Sequence, residues 1–536
     1  MLSVLNSSAA PGITCDVAIA GAGAAGITLA LALADQGLKV AVLESGGLEF
    51  EQDIQDLYAG RVTGREYFDL DVCRLRFLGG STNHWGGQCT LLDQRDFERR
   101  PWIEGSGWPI DRSALEPHLE RAHDILDLGP MDFEPRSLGA PEPGLIALDE
   151  DKLEHRSFRY SSPPTPLGAK YLADLERAGD VDLLLYASLV EIRLTEPHGP
   201  VAAFEVVDRA GQRIRVQARA YVLALGGIEN ARMLLASDRD APGGIGNRHD
   251  LVGRYFTEHT ALTLGSVQPL AADWERAYQE FVHPKIGRHV RHWMAPGDRL
   301  MREREIGNIA TVFGERTYVR PRAPGYVALH EIKESLQGRE KLPDGLGWHI
   351  VRVLEDLDGA VMGLWERYDP TIYVSAIAEQ VPNPDSRVRL GDERDPLGLR
   401  RVVLDWRLSE TDRRTAAVMI QTIAEEFGRL GIGRVQVAEW LREESGWDPY
   451  LAGNNHHLGT TRMADDPREG VVDRNQRVHG CPNLFVAGSS VFVTGGFANP
   501  TLSIVALTLR LADHLKARLA AGAFQMVGHA AAAGGR

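Results

Sequence analysis

The chain has 536 residues, of which 43% are hydrophobic and 25% charged, and its formal net charge is −15. This length exceeds what one hydrophobic core usually organises, so we expect a globular protein of two domains. The acidic charge disfavours a nucleic-acid binder, which needs a basic face, and no run approaches the roughly 20 apolar residues of a membrane helix.

The first fifty residues read as a β-α-β unit. The apolar run 16–20 (DVAIA) predicts a buried parallel strand, and the alanine- and leucine-rich stretch after it predicts a helix to about Asp35. A second apolar run, 39–43, is closed by Glu44. The glycines between the first strand and the helix form the pattern G-x-G-x-x-G.

This pattern predicts a dinucleotide site. Gly21 permits a tight turn, Gly23 lets the backbone approach a pyrophosphate, and Gly26 allows close contact of helix and strand. The helix N-terminus offers N–H groups to the phosphates, and Glu44 suits ribose hydroxyls. A glycine-rich turn beside a surface glutamate is the alternative, and FAD and NAD share the pattern. The remaining residues expected at this site are Ala24, Ala25 and Ser45.

Further strands of this type lie far along the chain. Residues 221–225 (YVLAL) precede glycines and a predicted helix at 229–236, residues 484–487 (LFVA) precede Gly488, and a long helix is predicted from Pro500 to about Lys516. Strand-like alternation at 371–377 and 402–406 indicates a separate sheet.

We therefore predict an α/β (α+β) protein in which a Rossmann-like dinucleotide-binding domain is discontinuous and a substrate domain of sheet and helices is inserted. The expected ranges are 13–100, 181–259 and 455–518 for the first domain, 101–180 for a connecting segment, 260–454 for the substrate domain and 519–536 for a flexible tail.

Two segments select the cofactor. Residues 74–88 read RLRFLGGSTNHWGGQ, and 454–515 contain NNHHLGTTRM, CPNLFVAGSSVF and GGFANPTLSIVALTLRLADHL. These motifs resemble the glucose–methanol–choline (GMC) oxidoreductases, nearest the branch of pyranose oxidases, fructose dehydrogenases and bacterial glucoside dehydrogenases. The resemblance implies FAD, a second domain whose sheet covers the isoalloxazine, an alcohol or sugar substrate, and oxygen or another electron acceptor.

The resemblance also implies positions for the flavin. Residues 79–82 correspond to the loop beside the reactive face of the flavin, and residues 499–501 to the helix start near its N1–C2=O edge. Val190 corresponds to a position that brackets the adenine with its backbone. His84 lies where choline and pyranose oxidases carry a histidine bonded to the flavin, and the alternative is packing beside Trp85. The cofactor residues implied in this way are Gly79, Gly80, Ser81, Thr82, Asn83, His84, Val190, Gly488, Pro500 and Thr501.

The chemistry is predicted at His456 and Asn499. Alcohol oxidation requires loss of a hydroxyl proton and transfer of a hydride to flavin N5, and a neutral imidazole suits the first task. The family's H-x-x-G-T histidine corresponds to His456, and its second position corresponds to Asn499, which would orient the oxygen or merely cap the next helix. His457 is the rival base by adjacency, and His259 is expected to be structural.

The open questions concern substrate and reaction class. Sugar sites use aromatic faces and charged donors, so the insert offers candidates, yet such residues also cover ordinary surfaces. The alternatives are a lyase or light-driven decarboxylase on the same scaffold, a pyridine-nucleotide-linked reductase and a non-enzymatic flavin protein. Such a reductase normally carries a second G-x-G-x-x-G pattern, and this sequence has a single one. The candidate substrate contacts are Arg316, Tyr318, Arg320, Trp365, Arg367 and Tyr368.

Location is predicted from the cysteines and the N-terminus. Cys15, Cys73, Cys89 and Cys481 are scattered without CxxC spacing, which disfavours a disulfide framework or a metal site. The first residues lack the basic and long apolar regions of a secretory signal. We expect a cytoplasmic protein that has no metal centre and binds neither membrane nor nucleic acid.

Overall fold

The structure is a computed structural model that describes residues 2–4, 12–315, 317–318, 324–336, 345–358, 360–361, 370–443 and 446–526. Its strands are β1 Leu2–Val4, β2 Gly12–Ala20, β3 Val40–Leu43, β4 Arg61–Gly64, β5 Gln88–Cys89, β6 Leu153–Tyr160, β7 Val181–Leu185, β8 Ser188–Leu194, β9 Val201–Val207, β10 Arg213–Leu223, β11 His259–Pro269, β12 Phe281–Val282, β13 His289–Pro296, β14 Ile309–Phe313, β15 Thr317–Tyr318, β16 Pro370–Glu379, β17 Arg387–Arg394, β18 Arg400–Trp406, β19 Gly433–Val437, β20 Ala452–Gly453 and β21 Leu484–Val486.

Its α-helices are α1 Ala24–Leu33, α2 Gln52–Gln55, α3 Gln94–Phe97, α4 Glu116–Ile125, α5 Pro135–Leu138, α6 Leu167–Arg177, α7 Gly226–Ala236, α8 Asp298–Arg304, α9 Pro324–Leu336, α10 Leu346–Glu355, α11 Glu410–Leu430, α12 Glu439–Arg442 and α13 Pro500–Ala520. No helix within the described ranges is both long enough and apolar enough to cross a membrane.

The first sheet has eight strands in the order β1-β7-β3-β2-β10-β9-β8, and β21 also pairs with β10. Strands β7, β3, β2, β10 and β21 are mutually parallel, while β8 and β9 join the edge antiparallel. The central parts of the parallel strands are continuous apolar segments, as expected where both faces of a sheet are covered; all four residues of β3 are buried. Helix α13 packs on α1 and α4. The predicted Rossmann-like α/β class is confirmed by this sheet.

The second sheet has ten strands, with the order β19-β11-β16-β14-β13-β6-β5 and with β12, β15 and β20 at its margins. Helix α11 covers one face and buries Met419, Ile420 and Phe427 against it. Its start is set by a capping box, in which Ser409 and Asp412 each accept a hydrogen bond from the other's backbone N–H. The opposite face carries a small apolar cluster that includes Trp293, Ile377 and Phe497.

A three-stranded sheet crosses the predicted domain boundaries. Strand β18 pairs with its neighbour β17 and, in parallel, with β4 from near the N-terminus. Val388, Leu404 and Trp406 on β17 and β18 belong to the core of the first sheet, although the sequence assigned 260–454 to the substrate domain. The connecting segment 101–180 also contributes β6 to the second sheet. The remaining boundaries stay predictions.

The predicted tail is partly wrong. Helix α13 continues to Ala520, past the expected end at 518, because the apolar side of the helix is still covered there: Leu519 is buried. Beyond it, Phe524 is buried and packs on Phe485, with ring centroids 5.7 Å apart. The flexible-tail prediction therefore does not hold up to residue 526, and 527–536 lie outside the described residues.

Candidate active site

A cavity of about 440 Å³ lies between the two large sheets and joins the motifs from both ends of the chain. From the N-terminal half it is lined by the glycine loop, Glu44 and the segment around His84; from the C-terminal half it is lined by His456, His457 and the start of α13. Ile377 of β16 contributes the wall from the second sheet. A cavity of this size with convergent polar groups is typical of a cofactor or small-molecule site.

The glycine loop fits a pyrophosphate. Gly21 adopts φ +97°, and a Cβ on Gly26 would meet the carbonyl oxygen of Gly21 at 1.9 Å, so neither position accepts a side chain. A Cβ on Gly23 would meet no protein atom within 4 Å, which leaves the loop open towards the cavity. The N–H of Ala22 donates to Glu44 Oε2 (2.8 Å) and that of Gly46 to Oε1 (2.9 Å).

Most residues predicted for the cofactor line the cavity. These are Gly21, Gly23, Ala24, Ala25, Glu44, Ser45, Gly80, Ser81, Thr82, His84, Gly488, Pro500 and Thr501. Gly26, Gly79 and Asn83 lie just behind this surface; Gly26 packs on Gly21, and the Asn83 side chain donates to the Leu78 and Gly80 carbonyls. Their roles towards the cofactor stay predictions.

Val190 is not among the residues that line the cavity. Its neighbours Ala187 and Leu189 line the cavity, whereas Val190 lines a separate surface pocket with Glu191, Arg213 and Arg400. Successive residues of a strand point to opposite faces, so a shift of one position in β8 turns the side chain away. The predicted adenine contact is made by the backbone of Val190, which the direction of its side chain does not test, so this contact stays a prediction.

His456 is held on a buried carboxylate. Glu258 Oε1 accepts the backbone N–H of His456 (2.7 Å) and that of His259 (2.9 Å), and Glu258 Oε2 accepts the hydroxyl of Tyr67. Nδ1 of His456 lies 2.8 Å from Nδ1 of His259, and Nε2 of His456 has no hydrogen-bond partner among the described residues. Burial lowers the pKa of His456 well below the ordinary imidazole value. The side chain is a neutral base at physiological pH.

His457, the rival base, forms hydrogen bonds with other residues through its side chain and its backbone. Its Nε2 lies 3.0 Å from the Tyr67 hydroxyl, and since that hydroxyl donates to Glu258, Nε2 of His457 is the donor. Its backbone carbonyl accepts from Ser489, and its ring is buried against Phe256. Burial lowers the pKa of His457 to about 3. This bonding favours His456 over His457 as the residue that accepts a proton.

Asn499 and Gln88 bring unpaired polar atoms to the cavity. Asn499 precedes α13 but its side chain makes no capping hydrogen bond, and its buried Oδ1 has no protein donor among the described residues. Gln88 of β5 likewise has a buried Nε2 without an acceptor there. A buried polar atom without a partner costs about 1–3 kcal/mol, so both atoms suit groups of a bound ligand. The helix-cap alternative for Asn499 is thereby disfavoured.

His84 lies exposed at the cavity with no side-chain hydrogen bond among the described residues, beside Trp85, whose indole donates to the Thr165 carbonyl (2.9 Å). Partial burial lowers the pKa of His84, which keeps an imidazole nitrogen unprotonated. A covalent bond to a flavin needs an unprotonated nitrogen of this kind. Packing of the His84 ring beside Trp85 does not depend on its protonation. Both interpretations of His84 stay predictions.

An ionic cluster that the sequence reasoning missed borders the cavity. Glu229 of α7 pairs with Arg74 (3.1 Å) and with Arg232 (3.2 Å), and the Arg74 and Arg76 guanidinium groups lie 4.0 and 4.7 Å from the centre of the Tyr58 ring. Arg232 also pairs with Asp395 at 2.7 Å. Arg74 and Arg76 line the cavity together with the Glu44 and Glu229 carboxylates, so this side of the cavity offers charged groups of both signs to a ligand. The signal was available, because Arg74 and Arg76 stand in the RLRF motif.

His259, Glu258 and Tyr67 were also missed as site residues. His259 was expected to be structural, and no motif links it to His456 across almost two hundred residues. The predicted substrate contacts Arg316, Arg320, Trp365, Arg367 and Tyr368 lie outside the described residues, as does the side chain of Tyr318.

Comparison with known proteins supports the resemblance at both ends of the chain. Residues 382–508 match the family described as GMC oxidoreductase, and 16–49 match an FAD binding domain. The chain is 26% identical to paromamine 6'-oxidase of Streptomyces fradiae, over 93% of this chain and 90% of that protein. It is 27% identical to the fructose dehydrogenase large subunit of Gluconobacter japonicus, over 66% of this chain and 57% of that protein.

Solved structures show the same fold. Formate oxidase of Aspergillus oryzae superposes with a TM-score of 0.53 at 15% identity, covering 95% of this chain and 99% of that one. The predicted resemblance and the cofactor are thus confirmed: the chain carries a GMC oxidoreductase domain and an FAD-binding domain, and it is an FAD-dependent oxidoreductase.

Proposed function

We propose that this enzyme oxidises a CH–OH group of a sugar, a glycoside or another polyol-like alcohol. The observation that carries the proposal is His456, a neutral imidazole whose free Nε2 lies at the cavity while Nδ1 and the backbone are fixed by other residues. Such a group can accept the hydroxyl proton of an alcohol without prior loss of its own. Bound FAD supplies the acceptor for the hydride from the same carbon.

Positioning is assigned to Asn499. Its amide lies at the start of α13 on the cavity wall, where Nδ2–H can donate a hydrogen bond to the substrate oxygen while His456 removes the hydroxyl proton. Misplacement by about 1 Å can cost two orders of magnitude in rate. A rigid helix start is a suitable support for this task, because Pro500 and the buried residues after it fix the backbone.

A substrate with several hydroxyl groups suits the unpaired atoms of the site. Asn499 Oδ1 needs a donor and Gln88 Nε2 needs an acceptor, and a polyol supplies both within one small molecule. Two relatives point in the same direction, since one is named for paromamine and the other for fructose. The hydrogen of the reacting hydroxyl faces His456, so an alcohol with only that hydroxyl would leave Asn499 Oδ1 without a donor.

The electron acceptor and location complete the proposal. We propose oxygen or another soluble acceptor and a cytoplasmic enzyme, in keeping with four cysteines that are all free thiols in the structure.

The test is anaerobic bleaching of the yellow flavin by a panel of glycosides, free sugars and simple alcohols. We expect polyhydroxylated compounds to reduce the flavin fastest. His456→Ala should keep bound FAD but slow reduction by a factor of roughly a hundred to ten thousand, the usual worth of a positioned acid–base group. His457→Ala should be milder, and exposed His249→Ala should have no effect.

Two results would contradict the proposal. Turnover of a substrate without any change in the flavin spectrum would indicate the lyase alternative. If His456→Ala is fully active and His457→Ala is inactive, the base is His457. If both variants keep full activity, another group removes the proton.

A further inference from the structure

His259 and His456 form a direct imidazole–imidazole contact at the cavity wall. Their Nδ1 atoms lie 2.8 Å apart, the rings are almost perpendicular at 83°, and their centroids are separated by 5.0 Å. Since a hydrogen bond needs one donor and one acceptor, the two nitrogens cannot both carry a hydrogen. The contact therefore couples the tautomers of the two rings.

The other nitrogen of His259 decides which ring donates. Its Nε2 faces the carbonyl oxygen of Gly495 at 3.3 Å, and a carbonyl oxygen only accepts. A neutral imidazole has one N–H, so Nε2 carries the hydrogen of His259 and Nδ1 is the acceptor. His259 is neutral because burial lowers its pKa to about 4. The hydrogen between the rings consequently belongs to His456 Nδ1.

This arrangement leaves only one state for the neutral His456 ring. With hydrogen on Nδ1, the lone pair is on Nε2, the nitrogen that no described residue contacts and that lies at the cavity. We propose that His259 is a positioning residue, which holds His456 in the Nδ1–H tautomer and so keeps Nε2 ready to accept the substrate proton. The proposal rests on the proposed function, since it explains how the base named there is prepared.

The surroundings hold His259 rigidly in this role. Its backbone N–H donates to Glu258 Oε1, the same oxygen that accepts from the His456 backbone, and its carbonyl accepts from Asn454 (2.8 Å). A Cβ on Gly495 would lie 3.0 Å from His259 Nε2, so the ring is seated closely against that loop.

The proton balance is simple. The substrate O–H bond breaks and an Nε2–H bond forms on His456, while the Nδ1–H of the same ring stays in place. The resulting imidazolium donates its Nδ1–H to neutral His259, and a hydrogen bond from a charged donor is stronger than one from a neutral donor. His259 thus supports both the neutral base before proton transfer and the cation after it.

The experiment compares three variants with the wild type. His259→Leu removes the acceptor, whereas His259→Asn keeps an oxygen near the position of Nδ1. His292→Leu is the matched control, because His292 is also buried, contacts a carbonyl (Gly139) and has a pKa lowered to about 4, yet does not line the cavity. Flavin content and melting temperature report folding in each case.

Two readouts are needed. Nitrogen-15 NMR of the imidazoles in the FAD-bound enzyme, with His456 signals assigned by their loss in His456→Ala, reports the tautomer without turnover. We expect Nδ1–H in the wild type and His259→Asn, and Nε2–H or a mixture in His259→Leu. Anaerobic flavin reduction by the substrate found above should slow by about ten- to a hundredfold in His259→Leu, and stay within about threefold in His259→Asn and His292→Leu.

Each result has a meaning of its own. An Nε2–H signal for His456 in the wild type overturns the inference, even if no variant folds. Equal loss of rate in His259→Leu and His259→Asn, with the Nδ1–H tautomer unchanged, would mean that His259 only fills space. If His456→Ala retains full activity, the proposed function fails, whereas the NMR result still decides whether His259 sets the tautomer.

Discussion

Glu44→Gln is expected to weaken FAD binding strongly, and the contacts of Glu44 give the size of the effect. The Glu44 side chain is buried, and its two oxygens accept backbone N–H groups at 2.8 and 2.9 Å. A glutamine offers one oxygen and one NH2 group, so one of these N–H groups faces another donor. The loop that carries Ala22 then loses a hydrogen bond just where the cofactor binds.

The magnitude follows from these contacts. Losing a hydrogen bond to a charged acceptor costs about 1.5–3 kcal/mol, and the buried N–H left unpaired costs about 1–3 kcal/mol. Part of this loss of free energy is offset. Burial raises the pKa of Glu44, which shows that the buried carboxylate is costly to desolvate, whereas a neutral amide avoids that cost. These contacts hold the loop in the conformation expected to bind FAD, so we expect a net loss of about 2–4 kcal/mol in the stability of that conformation to weaken binding; the full loss corresponds to roughly a 30- to 700-fold weaker affinity for FAD.

The assay is titration of apoprotein with FAD, followed by quenching of flavin fluorescence. If the flavin is covalently attached, the titration uses the His84→Ala background. Glu205→Gln is the control, since Glu205 is a partly buried carboxylate of the same sheet that does not line the cavity. An affinity of Glu44→Gln within about threefold of the parent would refute the reasoning.

Two further predictions concern the flavin and the chemistry. If His84 is bonded to the flavin, acid precipitation should leave the yellow colour with the protein, intact mass should exceed the apoprotein by one FAD, and His84→Ala should release the cofactor; recovery of all flavin in the wild-type supernatant rejects the bond. The rate constant for flavin reduction should fall as pH decreases, because His456 is active only when neutral, and the fall should lie well below pH 6.5 since burial lowers its pKa. Asn499→Ala should slow reduction but keep this acidic limb, as an amide does not titrate; a limb that disappears in Asn499→Ala would contradict the assignment of the base.

The parts of the fold that local patterns encode were predictable. The runs 16–20, 39–43 and 484–487 became β2, β3 and β21 within a few residues, because fully buried parallel strands are continuous apolar segments. The helix at Pro500 was marked by its first residue, which needs no N–H partner there. Strand β10 begins earlier than expected, since its first half alternates with polar residues where only β2 and β9 flank it.

The candidate site was predictable only as far as its motifs reach. His456 and Asn499 lie in conspicuous patterns and do line the cavity, although their roles stay predictions. His259 acts through a contact that spans almost two hundred residues, and such a contact depends on how β11 is placed beside the C-terminal loop. The hairpin β17–β18 was assigned to the substrate domain, although it packs with the first sheet. This packing also depends on a distant contact, since its partner strand β4 lies near the N-terminus.

The position of β10 has a consequence for biosynthesis. This strand pairs on one side with β2, synthesised long before it. On the other side its first residues pair with β9, while residues 221–223 pair with β21, which leaves the ribosome more than two hundred residues later. At about 5–20 residues per second, the open edge of β10 waits on the order of 10–50 s for its partner. An apolar unpaired edge invites association with other chains during that time. Newly made protein is therefore expected to need protection by chaperones, and any product that stops before residue 484 should neither close the sheet nor retain the cofactor.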